Sequence, residues 1–221
     1  MKRANHSTKV KAPTFRCIVD GAVSSGSIST ETSILPELMT SASSASSRDG
    51  RALTAAPTTL LKSRKSNARI DMRAGLSVGT WNVLTLNRTG YVTALVRSLK
   101  LSRLSLVGVT EARLVGSGST RVEGYTVLHS GGVHHVHGVA LVISQQLTSC
   151  LVRWTPISDR LFLARFTHVH VYLTVIVSYA PTEDSSDEDK GMFYDQLSRT
   201  MSQITPQDVR LILGDMNAVT G

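Results

Sequence analysis

A strand, a helix and a second strand follow one another between residues 76 and 109, and this succession most constrains the fold. Residues 76–81 are predicted to form a strand, and residues 91–100 a helix with one apolar stripe made of Val92, Leu95, Val96 and Leu99. Residues 104–109 are apolar nearly throughout, as buried parallel strands are. The pattern predicts a βαβ unit and therefore an α/β fold.

The rest of the chain alternates short apolar runs with turns. Strands are predicted at residues 125–129, 139–143, 150–155, 161–166, 171–179 and 209–213, and an amphipathic helix at residues 190–204 after an acidic run at 184–189. The runs at 161–166 and 171–179 indicate a hairpin, with its turn near residues 168–170. Hairpins mixed with helices favour a layered sandwich, in which helices pack outside two sheets.

The basic charge belongs to the first third of the chain. Residues 1–74 carry 12 Lys and Arg against 5 Asp and Glu, whereas residues 75–221 carry 12 against 11, within a net charge of +8. The first segment is also rich in Ser and Thr, so we expect a disordered tail at 1–74 before an ordered region at 75–221. Such a tail either binds phosphate backbones without sequence preference or binds nothing in particular.

The expected compartment is intracellular. No apolar run approaches the length of a membrane-spanning helix, and Met1-Lys-Arg is not followed by the apolar stretch of a secretory signal. Cys17 and Cys150 lie in different regions, which argues against a disulfide framework. We expect neither a membrane partner nor a small-molecule cofactor.

Five polar side chains follow predicted strands. Asn82 comes after the first strand, Glu111 after the second, Tyr179 at the end of a long strand, and Asp215 and Asn217 after the last. If these strands run side by side in the same sense, the five groups converge at one rim of the fold. Taken singly, each is more often a helix cap, a turn residue or a half-buried sheet residue.

Together these groups suit metal-assisted hydrolysis of a phosphodiester. Glu111 would hold a hard divalent cation, since Mg²⁺ takes oxygen ligands and often only one or two carboxylates. Asp215 would position or deprotonate the attacking water. Asn82 and Asn217 would hold a phosphate or fix Asp215, and the hydroxyl of Tyr179 would donate to a developing oxyanion.

Seven short motifs occur in a familiar order. They are Thr80-Trp-Asn-Val83, Val109-Thr-Glu-Ala-Arg113, His137-Gly-Val-Ala-Leu141, Ser158-Asp-Arg160, Val177-Ser-Tyr-Ala-Pro-Thr182, Phe193-Tyr-Asp-Gln-Leu197 and Leu213-Gly-Asp-Met-Asn217. In these motifs the chain resembles the endonuclease/exonuclease/phosphatase superfamily over residues 76–221. It is most similar to the endonuclease domain of non-LTR retrotransposons and to the craniofacial development protein 2-like sequences derived from them.

The resemblance implies a four-layer α/β sandwich that cleaves DNA phosphodiesters with Mg²⁺ or Mn²⁺. Asn82 and Glu111 fall on the metal and phosphate site, and Tyr179 on a phosphate-contacting tyrosine. Asp215 falls on the aspartate that handles the nucleophilic water, with Asn217 as its companion. A retroelement origin also implies a nuclear location and an associated reverse transcriptase.

Two departures from the family are expected to impair catalysis. Leu84 stands where many members carry an acidic residue, and the chain ends before the Ser-Asp-His segment that closes the family's site. The sandwich is therefore predicted to be C-terminally incomplete. One alternative is a non-catalytic relic that at most binds nucleic acid through its basic tail. Another is the same fold acting on a phosphoinositide or sphingomyelin headgroup.

The histidines of the middle region suggest a metal site only weakly. His135 and His137 would share one face of a strand, and the sequence offers no Cys or acidic partner beside them. We expect His134, His135 and His137 to form a solvated loop tip after two glycines, and we expect the same exposure for His168 and His170.

Overall fold

The computed structural model describes residues 18–19, 68–70 and 76–217. Within these residues the chain forms ten strands and three helices. The strands are β1 (Ile18–Val19), β2 (Val78–Asn82), β3 (Leu106–Thr110), β4 (Ser117–Val122), β5 (Tyr125–Ser130), β6 (Val139–Ser144), β7 (Leu151–Pro156), β8 (Leu161–Thr167), β9 (Tyr172–Tyr179) and β10 (Val209–Asp215). The helices are α1 (Tyr91–Leu101), α2 (Gln145–Cys150) and α3 (Asp187–Ser202).

The strands form two mixed sheets. The first has the order β2-β3-β6-β5-β4 and the second the order β1-β10-β9-β8-β7. Each contains one parallel pair, β2 with β3 and β9 with β10, and the remaining pairs are antiparallel. The predicted βαβ unit is confirmed as β2-α1-β3, and the predicted hairpin as β8-β9.

Alternate residues of the strands build the layers. In β6, Leu141 and Ile143 point into the core between the sheets, whereas Ala140 and Val142 face the cluster that contains Leu95 of α1. On the outer face of the second sheet, a smaller apolar cluster joins side chains of β8, β9 and β10 to Leu197 and Met201 of α3 and to Ile204 beyond its end. The order is helix, sheet, sheet, helix, so the predicted four-layer α/β sandwich is confirmed.

Within residues 76–217, two elements were not predicted. Strand β4 has mostly exposed, polar side chains, so it lacks the apolar alternation that marks a strand, and it is held by backbone pairing with β5. Helix α2 has only six residues, too few for a periodic signal, and begins where Ser144 Oγ accepts from the amide of Leu147 at 3.5 Å.

Helix α3 begins earlier than predicted. Ser186 caps it by accepting from the amide of Asp189 at 3.1 Å, so the acidic residues Asp187 to Asp189 form its first turn. The expected start at residue 190 was wrong, because these acidic residues belong to the helix and do not precede it. Acidic side chains in the first turn are stabilised by the helix dipole, which explains their position inside it.

The predicted tail at residues 1–74 lies mostly outside the described residues. Within them, Ile18 and Val19 pair through their backbones with Ile212 and Leu211 of β10. Ile70 is buried in the core between the sheets and bridges to His168 at the β8-β9 turn. No helix in the described part of the chain is both long and apolar enough to cross a membrane.

Candidate active site

The ends of β2 and β3 bring together the first two predicted residues. Asn82 is the last residue of β2, and Glu111 directly follows β3. The strands are parallel, with Asn82 opposite Thr110, so both polar groups leave the sheet at the same rim. Asn82 Nδ2 donates a hydrogen bond to Glu111 Oε1 at 2.7 Å.

The second carboxylate oxygen of Glu111 is held by an arginine that the site prediction did not include. Arg113 Nη2 donates to Glu111 Oε2 at 3.0 Å; the Glu111 side chain is 14% exposed and that of Arg113 42%. Both residues have a left-handed backbone, with φ of 54° and 53°. Such a conformation costs about 1–2 kcal/mol for a residue with a β-carbon, and strain of this kind concentrates at functional sites.

The second sheet supplies Tyr179 and Asp215. They are the last residues of β9 and β10 and lie opposite each other in that parallel pair. Burial raises the pKa of Tyr179, and the charges of Glu111 and Asp215 add to the increase. Arg160 opposes the increase. Both carboxylates therefore act on the same phenol, which stays protonated at neutral pH.

Asn217 holds the end of β10 against the end of β9. Its side-chain Nδ2 donates to the carbonyl of Ala180 at 2.7 Å, and its amide donates to Asp215 Oδ1 at 3.0 Å. Ala180 in turn donates its amide to the carbonyl of Asp215 at 2.9 Å. Asp215 Oδ2 makes no hydrogen bond within the described residues and remains available to a water molecule.

His137 does not lie in a solvated loop tip, and that expectation was wrong. Its Nδ1 lies 3.0 Å from Asp159 Oδ2, and its Nε2 lies 2.9 Å from Nη2 of Arg160. Arg160 is part of the site, because its guanidinium carbon lies 5.1 Å from the ring centroid of Tyr179. The acidic partner was invisible in the local sequence since Asp159 lies 22 residues away, although Ser158-Asp-Arg160 was one of the recognised motifs.

The donor set at this rim fits a hard cation better than zinc. The described residues contain no group of three or more His, Cys, Asp or Glu side chains able to hold a metal ion. Glu111 and the amide oxygen of Asn82 offer oxygen ligands, which suits Mg²⁺ with water and phosphate completing its shell. Arg113 forms an ion pair with Glu111, and its side chain is partly exposed. The Nε atom of Arg113 is buried and has no hydrogen-bond partner among the described residues. Leu84, at φ 61°, offers no ligand.

An open cleft of about 510 Å³ borders the site without containing it. It is lined by the turns around Ser117, Gly131 and Ser158, and it includes Asp159, the partner of His137. None of the five predicted site residues lines it.

Comparison with known families gives one match that covers most of the chain. Residues 79–220 match the model of the "Endonuclease/Exonuclease/phosphatase family". Craniofacial development protein 2 of Bos taurus is 29% identical over 146 residues, which cover 65% of this chain and 24% of that protein. The same protein of Tragulus javanicus is 28% identical over 146 residues, covering 65% of this chain and 25% of that one. The chain thus spans about a quarter of the length of these relatives.

Two solved structures resemble the chain to different degrees. AP endonuclease LMAP from Leishmania major superposes with a TM-score of 0.50 at 12% identity, covering 73% of this chain and 61% of that one. The endonuclease domain of TRAS1, a telomere-specific non-LTR retrotransposon, gives a TM-score of 0.48 at 15% identity, covering 66% and 60%. At 12% identity the similarity to the AP endonuclease is one of fold.

Proposed function

Because the chain belongs to the endonuclease/exonuclease/phosphatase family, we propose that it hydrolyses phosphodiester bonds of DNA as a divalent-cation-dependent endonuclease. The observation that carries the proposal is that Asn82 holds Glu111 at the end of the β2-β3 pair while Tyr179 and Asp215 face each other at the ends of β9 and β10. The charges of both carboxylates raise the pKa of Tyr179, in keeping with this placement. Two acidic groups, a protonated phenol and two amides at one rim are the groups that phosphodiester hydrolysis needs.

Glu111 and Asn82 would hold the cation, which is Mg²⁺ or Mn²⁺. When bound, the cation polarises the phosphoryl oxygens and stabilises the charge that develops on them. Arg113 donates to Glu111 Oε2, and from this place its guanidinium would also reach a phosphate bound beside the cation.

Asp215 and Tyr179 would act on the reacting groups. Asp215 has one oxygen engaged by the amide of Asn217, which fixes the carboxylate, and its other oxygen orients and deprotonates the attacking water. The hydroxyl of Tyr179, protonated at neutral pH, donates to the phosphate oxygen on which charge develops. Asn217 keeps the two strand ends together through its bond to Ala180.

DNA as the substrate is supported by the motifs that resemble retrotransposon endonucleases and by cationic groups. Arg113 and Arg160 flank the carboxylates, and residues 1–74 carry a surplus of Lys and Arg that suits a phosphate backbone. A phospholipid headgroup offers the same phosphodiester without a polyanionic backbone. Assays with plasmid and with lipid vesicles therefore distinguish the two substrates.

Nicking of supercoiled plasmid by the full chain in the presence of Mg²⁺ tests the proposal. Wild-type protein should nick, and chelation should stop the reaction. Glu111→Gln and Asp215→Asn should each lower the rate by about 10²-fold or more, whereas Glu183→Gln, at an exposed position, should not. Salt-sensitive DNA binding without nicking would contradict hydrolysis and support the non-catalytic alternative. Hydrolysis of sphingomyelin in vesicles, without nicking of plasmid, would identify a lipid headgroup as the substrate.

A further inference from the structure

Four side chains form a continuous chain of contacts behind the proposed phosphate site. Asp159 contacts His137, His137 contacts Arg160, and Arg160 lies over Tyr179. The His137 ring also lies 6.1 Å from that of Tyr179, between centroids. The four residues of this chain of contacts come from the loop before β6, the β7-β8 turn and the end of β9. The contacts therefore connect the two sheets.

The chemistry of the partners selects one tautomer of His137. A guanidinium only donates, so Nε2 of His137 must accept from Arg160 at 2.9 Å. A carboxylate only accepts, so Nδ1 must carry the proton and donate to Asp159 at 3.0 Å. The tautomer with its proton on Nδ1 is the one that satisfies both neighbours.

Arg160 is held at three acceptors. Besides Nε2 of His137, its Nη1 donates to the carbonyls of Tyr179 and Ala180 at 3.3 and 3.4 Å. These bonds fix the guanidinium plane near the face of the Tyr179 ring, where a cation attracts the π-system. The positive charge also opposes the electrostatic effect of Glu111 on the phenol.

We propose that His137 is a positioning residue which, oriented by Asp159, holds the guanidinium of Arg160 on the ring of Tyr179. The role of the contact is to fix the hydroxyl that meets the phosphate and to strengthen it as a donor when negative charge develops. This inference rests on the proposed function for its catalytic meaning. The contact itself is independent of it, which allows separate tests.

Two substitutions of His137 separate its two hydrogen bonds. In His137→Gln the side-chain amide reaches the position of Nε2 and its oxygen can accept from Arg160. In His137→Asn the shorter amide matches only the position of Nδ1 and reaches Asp159 but not Arg160. Outer residues that orient a catalytic group usually contribute about 10–100-fold in activity. We expect kcat to fall by that factor in His137→Asn, with KM little changed, and to be largely kept in His137→Gln.

A second readout needs no turnover. The ¹³Cζ resonance of Tyr179, assigned by its loss in Tyr179→Phe, should shift in Arg160→Gln and in His137→Asn. It should stay near its wild-type position in His137→Gln and in the control His170→Ala, an exposed histidine at the β8-β9 turn. A purely structural role for His137 predicts no such difference between the amide variants.

The outcomes are distinct. Equal activity of His137→Asn and His137→Gln, or an unmoved resonance in His137→Asn, overturns the inference. If His137→Asn does not fold, Asp159→Ala replaces it, because Asp159 is one-third exposed and its loss frees the imidazole; the resonance must then shift. If wild-type protein nicks no DNA while the resonances shift as expected, the positioning contact stands and the proposed function fails.

Discussion

A β-carbon on Gly108 would lie 2.6 Å from the β-carbon of Leu213. Gly108 lies in the middle of β3 and Leu213 near the end of β10, so the two sheets approach closely where these strands cross. Glu111 follows Gly108 by three positions and Asp215 follows Leu213 by two. The absence of a side chain at position 108 therefore lets the strands that lead into Glu111 and Asp215 pack closely.

Gly108→Ala should destabilise the fold. The added methyl group must displace Leu213 or separate the sheets, and overpacking of this kind costs about 1–3 kcal/mol. Urea denaturation measures the change in the free energy of unfolding. The matched control is Gly191→Ala in α3, where an added β-carbon meets nothing within 4 Å; this variant should gain about 0.5–1 kcal/mol. Equal stability of the two variants would show that the sheets are not in tight contact at Gly108.

Tyr179→Phe should lower the single-turnover nicking rate by about 10²-fold, because it removes one donor to the developing charge. Burial and then Glu111 raise the pKa of Tyr179, so deprotonation of this phenol should not limit the rate below about pH 10. The folded-state pKa exceeds that of the unfolded chain. The protonated phenol thus contributes stability below about pH 10 that is lost as the pH rises through the folded-state value. A rate for Tyr179→Phe equal to wild type would remove the phenol from the mechanism.

Arg113→Ala should strengthen Mg²⁺ binding, because the donation from Arg113 Nη2 to Glu111 Oε2 competes with a cation for that oxygen. The pair is partly exposed, so its contribution is about 0.5–1 kcal/mol, and the Kd for Mg²⁺ should fall about two- to fivefold. Isothermal titration calorimetry measures this directly. Glu111→Gln should abolish the binding, and Arg121→Ala, at an exposed position in β4, should leave it unchanged. Weaker Mg²⁺ binding by Arg113→Ala would place the cation elsewhere.

Asp208→Ala should cost about 3–5 kcal/mol of stability at neutral pH, since it leaves the Arg165 guanidinium without its partner in a largely buried place. Arg165 donates to both oxygens of Asp208, at 2.7 and 2.8 Å, and Thr174 Oγ1 donates at 2.8 Å. The exposed Asp195→Ala is the matched control, expected to change stability by less than about 0.5 kcal/mol.

The same pair predicts a loss of stability in acid. Burial alone would raise the pKa of Asp208, but the hydrogen bonds from Arg165 and Thr174 outweigh it and the pKa is lowered. A carboxylate with a depressed folded-state pKa stabilises the fold above the unfolded value, about 3.9, and loses this contribution as pH falls through the folded-state pKa. The free energy of unfolding, measured by urea denaturation, should fall less between pH 7 and pH 3 for Asp208→Asn than for wild type. An equal loss of stability in the two proteins would show that other carboxylates cause the acid sensitivity.

Elements with long apolar patterns were predictable, and short or polar ones were not. The stripe that includes Leu95 and Leu99 predicted α1 to within a residue, because a periodic apolar face is a property of local sequence. Strand β4 exists through its pairing with β5 and α2 through a single cap, and neither leaves a periodic signal. The acidic residues before residue 190 were compatible with two positions for the start of α3, and the cap at Ser186 selected one.

For the site, local sequence indicated which polar groups follow strands, since the apolar pattern marks where each strand ends. The parallel pairing that brings these ends to the same edge came from the fold. Asn82, Glu111, Tyr179 and Asp215 were found on that basis. The partners of these groups came from packing. The close contact of β3 with β10 lets the charge of Glu111 raise the pKa of Tyr179. The left-handed backbone at residues 111 and 113 turns Arg113 onto the carboxylate of Glu111.

The assembled sheets likewise bring His137 to Asp159 and Arg160, across 22 and 23 residues of chain. Local periodicity specifies the face on which a side chain lies. Its partners depend on how two such faces fill their shared volume, and that arrangement exists only once both sheets have formed.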